Sequence, residues 1–412
     1  MLGRHSRAVD IQAALAEVVS LVREHRPDLV IHSGDLFQGP RPSVEALSTA
    51  FNFLQEVAAI APVVVVCGNH DSAALFGVLD RISPARIRFI DKVKSPDQGG
   101  ILAYPGTHDE RLLLAPLPFV HANRIAAAEA FDDSATWMSG YSDYISGLEQ
   151  MLAQGMLAQA DLTQDILLFA AHLHVSGAKF SGSERPMHIS DAYGSLPQSL
   201  PPVAYAAFGH IHKPQALPGA VSGRFAGSII QMDFGESGEE KGVVLVDLAP
   251  GRPAEINILP LRAGRRLRRL SGTIAELAPL ATTINDEILR INVVSPTHEP
   301  GLTERILDLF PASATIIEIN EECLDRKLTL IDETQIAAAN LETDFVSLFQ
   351  EFLTKSKTLK APAQSVLDSF TEILNALETD SAPHLPELTA LNACLAPEAT
   401  DYEQYLATED ES

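Results

Sequence analysis

VVVVCGNHD, residues 63–71, carries a β-branched apolar run directly into a glycine, an amide, an imidazole and a carboxylate. Bounded by Pro62 and Gly68, the run predicts a strand buried on both faces, as in sheets covered by helices. Polar side chains at the carboxyl end of such a strand lie where open α/β sheets bind ligands. Working outward, RAVDIQAALAEVVSLVREHR (7–26) sets Ile11, Leu15, Val18, Val19 and Val22 at helical spacing until Pro27 stops the pattern. DLVIHSGD then reads as strand and loop, and SVEALSTAFNFLQEVAAI (43–60) as a second helix leading into the valines. Strand and helix alternate with the polar residues always after the strand, which is α/β architecture. Further strands are expected at RLLLAPLP (111–118), DILLFAAH (165–172), VAYAAFGH (203–210), GRFAGSII (223–230) and GVVLVDL (242–248).

A chain of 412 residues exceeds the usual single-core size, so two or three domains are expected. At 46% hydrophobic residues it is too apolar for general disorder, yet it holds no apolar run of membrane-spanning length, so no membrane association is expected. The amino terminus, MLGRHSRAVD, has no hydrophobic segment of signal-peptide type, and Cys67, Cys323 and Cys394 are odd in number and far apart. A reducing cytoplasm is the expected location. With 30 Lys and Arg against 54 Asp and Glu, the net charge of -24 repels polyanions unless positive charge is concentrated locally or supplied by a partner or a metal.

Near residue 260 the pattern changes to an arginine-rich segment with Arg262, Arg265, Arg266, Arg268 and Arg269, then to short alternating and helical stretches. The arginines read either as a solvated strand-helix face or as phosphate contacts near the site entrance. Later, Phe345, Leu348, Phe349, Phe352 and Leu353 share one helical face, and Val366, Phe370, Ile373, Leu374 and Leu377 another, with a turn at Lys357–Pro362. Such faces dock either on the parent domain or in a groove of another protein. The expected division is a large α/β domain over 1–260, a small α+β domain over 261–330, a helical partner-binding element over 331–378 and an acidic flexible tail over 379–412.

The strand-end polar groups form a series: Asp35 in HSGD, Asn69 and His70 in GNHD, His172 in AHLH, and His210 and His212 in GHIH. Carboxylate, amide oxygen and imidazole suit manganese, iron or zinc, and a carboxylate can bridge two ions. An extended GHIH would point His210 and His212 the same way, toward adjacent ions. His70 reads as a group outside the coordination sphere that handles the departing oxygen of a phosphodiester. A lone histidine such as His32, His108, His121 or His188 reads as a surface or hydrogen-bonded residue. His174 is an alternative to His172, with His172 preferred because it is nearer the strand.

In this order the motifs resemble the calcineurin-like metallophosphoesterases. SGDLFQGPRPS, VVVCGNHDS, HLHVSGA, FGHIHKPQ and FAGSIIQMDFGE look like the SbcD and Mre11 nuclease branch. The resemblance implies a sandwich of sheets flanked by helices, a capping α+β domain and a C-terminal helix pair. It implies a manganese-dependent DNA exonuclease or endonuclease of repair and recombination, working with an SbcC/Rad50-type ATPase bound through those helices, as a homodimer within a heterotetramer. It also implies that Asp35 bridges two ions, that Asn69, His172 and His210 hold one, and that His212 belongs to the other. Two departures stand out. Met1 occupies the place of the histidine of the family's first Asp-x-His, which leaves the first metal site incomplete; a start placed a few residues late is the expected reason. Gln38 stands where the family often carries His or Asp, and Gln cannot exchange protons. The alternatives are a catalytically impaired scaffold protein and a small-molecule metallophosphoesterase.

Overall fold

The four valines form a strand buried at every position, and the alternation of its side chains explains why. Val63 and Val65 enter a core built with helices, whereas Val64 and Val66 enter a core shared with a second sheet. The computed structural model describes residues 5–121, 134–181, 194–324, 346, 349–350 and 363–378. By contact it divides into two units, Met1–Leu324 and Asp325–Ser412.

The first unit begins with α1 (Ala8–His25), β1 (Val30–His32), α2 (Val44–Ala58), β2 (Val63–Val66), α3 (Ala73–Ile82) and β3 (Ile87–Ile90). β1, β2 and β3 pair in that order, all parallel. α1 ends where Arg26 takes a left-handed conformation before Pro27, and α2 starts on Ser43, whose hydroxyl accepts from the Ala46 N–H. Next come β4 (Leu102–Pro105), β5 (Arg111–Leu117), α4 (Ser134–Leu157), β6 (Asp165–His172), β7 (His174–Val175), β8 (Gly194–Ser195), β9 (Tyr205–Gly209), β10 (Gln215–Ala216) and β11 (Gly223–Phe225). They supply a six-stranded sheet in the order β10-β11-β9-β6-β5-β4, whose four inner strands are parallel.

Side-chain alternation stacks these sheets into four layers. Val64 and Val66 of β2 meet Leu112 and Leu114 of β5 and Ile166 and Leu168 of β6 between the sheets. On the outer face of the larger sheet, Leu113, Leu167 and Phe169 pack with Tyr141, Ile145, Leu152 and Met156 of α4. On the outer face of the smaller sheet, Val63 and Val65 pack with Val18 and Val22 of α1, Leu54 and Val57 of α2, and Phe76 and Leu79 of α3. The fold is thus an α/β sandwich flanked by helices. β11 is shorter than its apolar run, because beyond Phe225 the chain bends and the Ser228 N–H reaches the His212 carbonyl at 3.1 Å.

A hairpin of β12 (Gly242–Asp247) and β13 (Glu255–Pro260) follows. After it comes an α+β layer of β14 (Leu267–Gly272), α5 (Ile274–Ala281), β15 (Ile288–Ser295), α6 (Leu302–Leu309) and β16 (Thr315–Cys323). Its strands are parallel, and Leu277 of α5 and Ile306 of α6 bury against Leu289 and Ile291 of β15 in a core of its own. The arginine cluster divides here. Arg265 turns inward to Asp10, whose carboxylate also takes Arg7 at 2.7 Å, and Arg268 donates to Thr283, while Arg262, Arg266 and Arg269 are exposed. No helix among the described residues is long and apolar enough to cross a membrane.

The second unit is described at Val346, Phe349, Gln350 and α7 (Ala363–Glu378). Phe349 stacks on Phe370 with ring centroids 4.1 Å apart, and Leu367 is buried. One residue from each expected apolar face therefore meets the other. Phe345, Leu348, Phe352, Leu353, the Lys357–Pro362 turn, His188, Cys394, the first four residues and the acidic tail lie outside the described residues.

Asp10 gives a test of the joint between α1 and the α+β layer. Burial alone would raise its carboxyl, but hydrogen bonds from Arg265 and Arg7 outweigh burial and hold it down at about 2 against 3.8. A depressed carboxyl stabilises the fold fully above its unfolded value and loses that contribution as pH falls through its folded value. Asp10→Asn should therefore cost about 2 kcal/mol near neutral pH. In urea melts across a pH series, the gap between variant and parent should close as pH falls from 3.8 to about 2.

Candidate metal centre

Parallel strands deliver their carboxyl ends to one edge, and the loops leaving β1, β2, β6 and β9 meet there. The β1 loop turns through Gly34 at φ 107° and Asp35 at φ 55°, both left-handed. Gly34 is required twice over, since a Cβ there would also lie 2.0 Å from His172 Nδ1. At Gly68, after β2, a Cβ would lie 2.1 Å from the Asp35 carboxylate. The two loops are clamped by the buried Asp71, which accepts from the N–H groups of Phe37 at 2.9 Å, Gly68 at 2.9 Å and Leu36 at 3.2 Å. Burial pushes the Asp71 carboxyl up despite those donors.

Three of the expected ligands touch one another through Asn69. Its Oδ1 lies 2.9 Å from His172 Nε2 and 3.0 Å from His210 Nδ1. His172 Nε2 is also 3.2 Å from Asp35 Oδ2, while Asp35 Oδ1 accepts the His70 backbone N–H at 2.8 Å. Phe119 walls the group, its ring stacked on His210 at 6.0 Å and edge-on to His172 at 6.3 Å. Burial works against charge on His172, but the Asp35 carboxylate beside it and the Ser33 carbonyl raise it above the usual imidazole value. In turn, despite its own burial, Asp35 is held well below the usual carboxylate range, chiefly by His172. Neighbouring His32 is pushed down to about 4, by burial first and then by His172.

The donor set fits a metal. His172 Nδ1 lies 2.8 Å from the Ser33 carbonyl, which can only accept, so that nitrogen carries a proton. Nε2 faces two oxygens, Asn69 Oδ1 and Asp35 Oδ2: a proton on Nε2 satisfies them in the absence of metal, and a divalent cation would take that proton's place among three electron-pair donors. Neighbouring ligands of an octahedral ion at about 2.1 Å are roughly 3 Å apart, the spacing found among these atoms. Among the described residues no group of three His, Cys, Asp or Glu side chains forms such a site; the set converges only when the Asn69 amide is counted.

Other expectations separate. GHIH is not extended: β9 stops at Gly209 and His210 takes a left-handed φ of 84°, which carries its ring to Asn69 while Ile211 enters the core. His212 has Nδ1 on Glu236 Oε1 at 2.9 Å. His174 packs its ring on Phe180 at 4.9 Å, and it is His172 that meets Asn69. His70 holds Nδ1 at 2.9 Å from the Gln38 carbonyl; the contact is to backbone, and the Gln38 side chain is exposed. Asp71 and Glu236 were missed as contributors, although both stand inside the quoted motifs GNHD and DFGE.

The Gly34 contact can be tested directly. Gly34→Ala should displace the His172 ring and strain the turn at a cost of about 2 to 4 kcal/mol. A lowered thermal midpoint together with weakened binding of divalent cations is the expected outcome, read by calorimetry.

Against known proteins, residues 5–214 match the calcineurin-like phosphoesterase family. Over 397 residues the chain is 24% identical to the D component of nuclease SbcCD from Bacillus subtilis, covering 92% of this chain and 95% of that one. It is 26% identical over 279 residues to the protein of the same name from Escherichia coli K12, covering 66% and 68%. With the Rhodobacter capsulatus counterpart it shares 26% over 300 residues, covering 66% and 72%. With a match over residues 5–214 and strand-end donors gathered on one edge of its sandwich, the chain belongs to the calcineurin-like phosphoesterase family.

Proposed function

We propose that this chain is a manganese-dependent phosphodiesterase that cleaves DNA, the nuclease component of a complex with an SbcC/Rad50-type ATPase in the cytoplasm. The observation that carries the reading is the convergence of Asp35, Asn69, His172 and His210. The likeness to the D component of SbcCD along 92% of the chain supports the choice of branch. Asp35, Asn69, His172 and His210 would hold one ion, and Asp35 with His212 would contribute to a second. When bound, manganese supplies charge neutralisation for the phosphodiester and activation of water.

The residues of the chain supply the rest. His70 stays outside the donor set, with its backbone N–H on Asp35 and its ring steered by the Gln38 carbonyl. That carbonyl keeps the proton on Nδ1, so Nε2 is the atom that exchanges a proton with the departing oxygen. The buried thiols of Cys67 and Cys323 suit a reducing compartment. The Phe349 and Phe370 helices of the second unit would present their remaining apolar surface, including the exposed Ile373, to the ATPase coiled coil. The working assembly would be a homodimer of this chain within a heterotetramer.

The test compares linear duplex DNA with bis(p-nitrophenyl) phosphate while manganese is titrated. DNA cleavage should be abolished by chelation, and one manganese equivalent should bind more tightly than the other. His70→Ala should lower kcat by about 10² to 10⁴ with manganese content unchanged, whereas Asp35→Ala should empty both sites. Cleavage of the small ester alone would point to a small-molecule phosphoesterase. Binding of manganese without cleavage of either would point to a scaffold protein.

The helices are tested separately. Phe349→Glu places a charge against the Phe370 ring and should abolish co-purification with the ATPase while the nuclease activity on short duplexes is kept. Retained co-purification would remove the helices from the interface.

A further inference from the structure

Glu236 is fully buried on a single 3-10 turn, Phe234–Glu236, that is capped by Asp233 accepting from the Gly235 N–H at 2.8 Å. A buried carboxylate is costly unless each oxygen finds donors. Here the two oxygens divide the work. Oε2 accepts from Lys241 Nζ at 2.8 Å, the Ser228 hydroxyl at 3.0 Å and the Met232 N–H at 3.1 Å, while Oε1 faces His212 Nδ1 at 2.9 Å. Lys241, itself nearly fully buried, also donates to the His212 carbonyl at 2.9 Å and to Glu239 at 2.8 Å. Ring and backbone of His212 are therefore held by one network.

We propose that Glu236 is the positioning residue of His212, holding the ring in its Nδ1–H tautomer so that Nε2 carries the lone pair offered to a divalent cation. This rests on the metal reading given above. The reasoning is one of donors and acceptors. A carboxylate can only accept, so Oε1 obliges Nδ1 to carry the proton, and in a neutral imidazole the lone pair then belongs to Nε2. Carboxylates that orient ligating histidines in this way tune affinity without touching the ion.

An isosteric change discriminates this role from a purely structural one. In Glu236→Gln the amide has a fixed choice of orientation. Lys241 and the Met232 N–H can only donate, so the amide oxygen takes the place of Oε2 and the NH2 group takes the place of Oε1. That NH2 donates toward Nδ1, and His212 must move its proton to Nε2. Volume and the bonds to Lys241 and Ser228 are conserved.

The experiment uses the full chain, labelled with 15N-histidine, free of metal and at alkaline pH, with His212 assigned by the signal lost in His212→Gln. Long-range 1H–15N correlations should report Nδ1–H in the parent and Nε2–H in Glu236→Gln. Manganese isotherms should show the weaker equivalent losing about 10- to 100-fold in affinity with the tighter equivalent unchanged. A parent protein with the proton on Nε2 overturns the proposal, whether or not the variant folds. A Glu236→Gln protein that folds and keeps the parental tautomer also overturns it. Inversion of the tautomer with both equivalents unchanged leaves the positioning role standing and removes His212 from the metal set, which separates failure of the two readings.

Discussion

The hydrogen bond from His172 Nδ1 to the Ser33 carbonyl joins the two sheets at their functional edge. His172 closes a central strand of the larger sheet and Ser33 leaves the first strand of the smaller one, 139 positions apart. Everything around the donor set presupposes that bond. It fixes the His172 tautomer, and it needs a residue without a Cβ at Gly34 to let the ring approach. Opposite it, the Asp71 clamp keeps the Asp35 and Asn69 loops in register. Packing of Val64 and Val66 against Leu114 and Leu168 brings the two strand ends within reach, and the polar contacts then select one geometry among those the packing allows.

Much of this was legible in the chain. A run of four valines has no polar face, so it needs cover on both sides, and helices provide one side and a second sheet the other. That the strand-end residues Asp35, Asn69, His172 and His210 would lie together could be read because parallel strands place successive loops on one edge, whatever their separation in sequence. Local backbone detail was less accessible. The left-handed turn at His210 is paid for by its contact with Asn69, a residue 141 positions away, and nothing in GHIH itself signals it. Gln38 illustrates a different limit: its side chain suggested a lost proton carrier, whereas the group in use is its carbonyl, which every residue type possesses.

Charged residues were the hardest to place. Arg265 belongs by sequence to a basic cluster, yet Asp10 and Arg7 at the start of the first helix draw it into a partly buried network. Exposed Arg262, Arg266 and Arg269 keep the solvated character that composition suggests. Glu236 looks like a surface residue in a Gly-bounded loop until Lys241, Ser228 and His212 are seen around it. A buried charge is defined by its partners, and partners brought together by tertiary contact are not visible in a local window.

The span of the donor set also has a bearing on how the molecule reaches its native state. Asn69 meets His172 and His210 across 103 and 141 positions, so none of these contacts forms inside an isolated hairpin or helix. Each requires both sheets to exist and to have docked. A ligand that recognises only this assembled edge is thermodynamically linked to the docking itself and draws the population toward the closed sandwich. Occupancy of the edge would then favour fully assembled chains over partly folded ones.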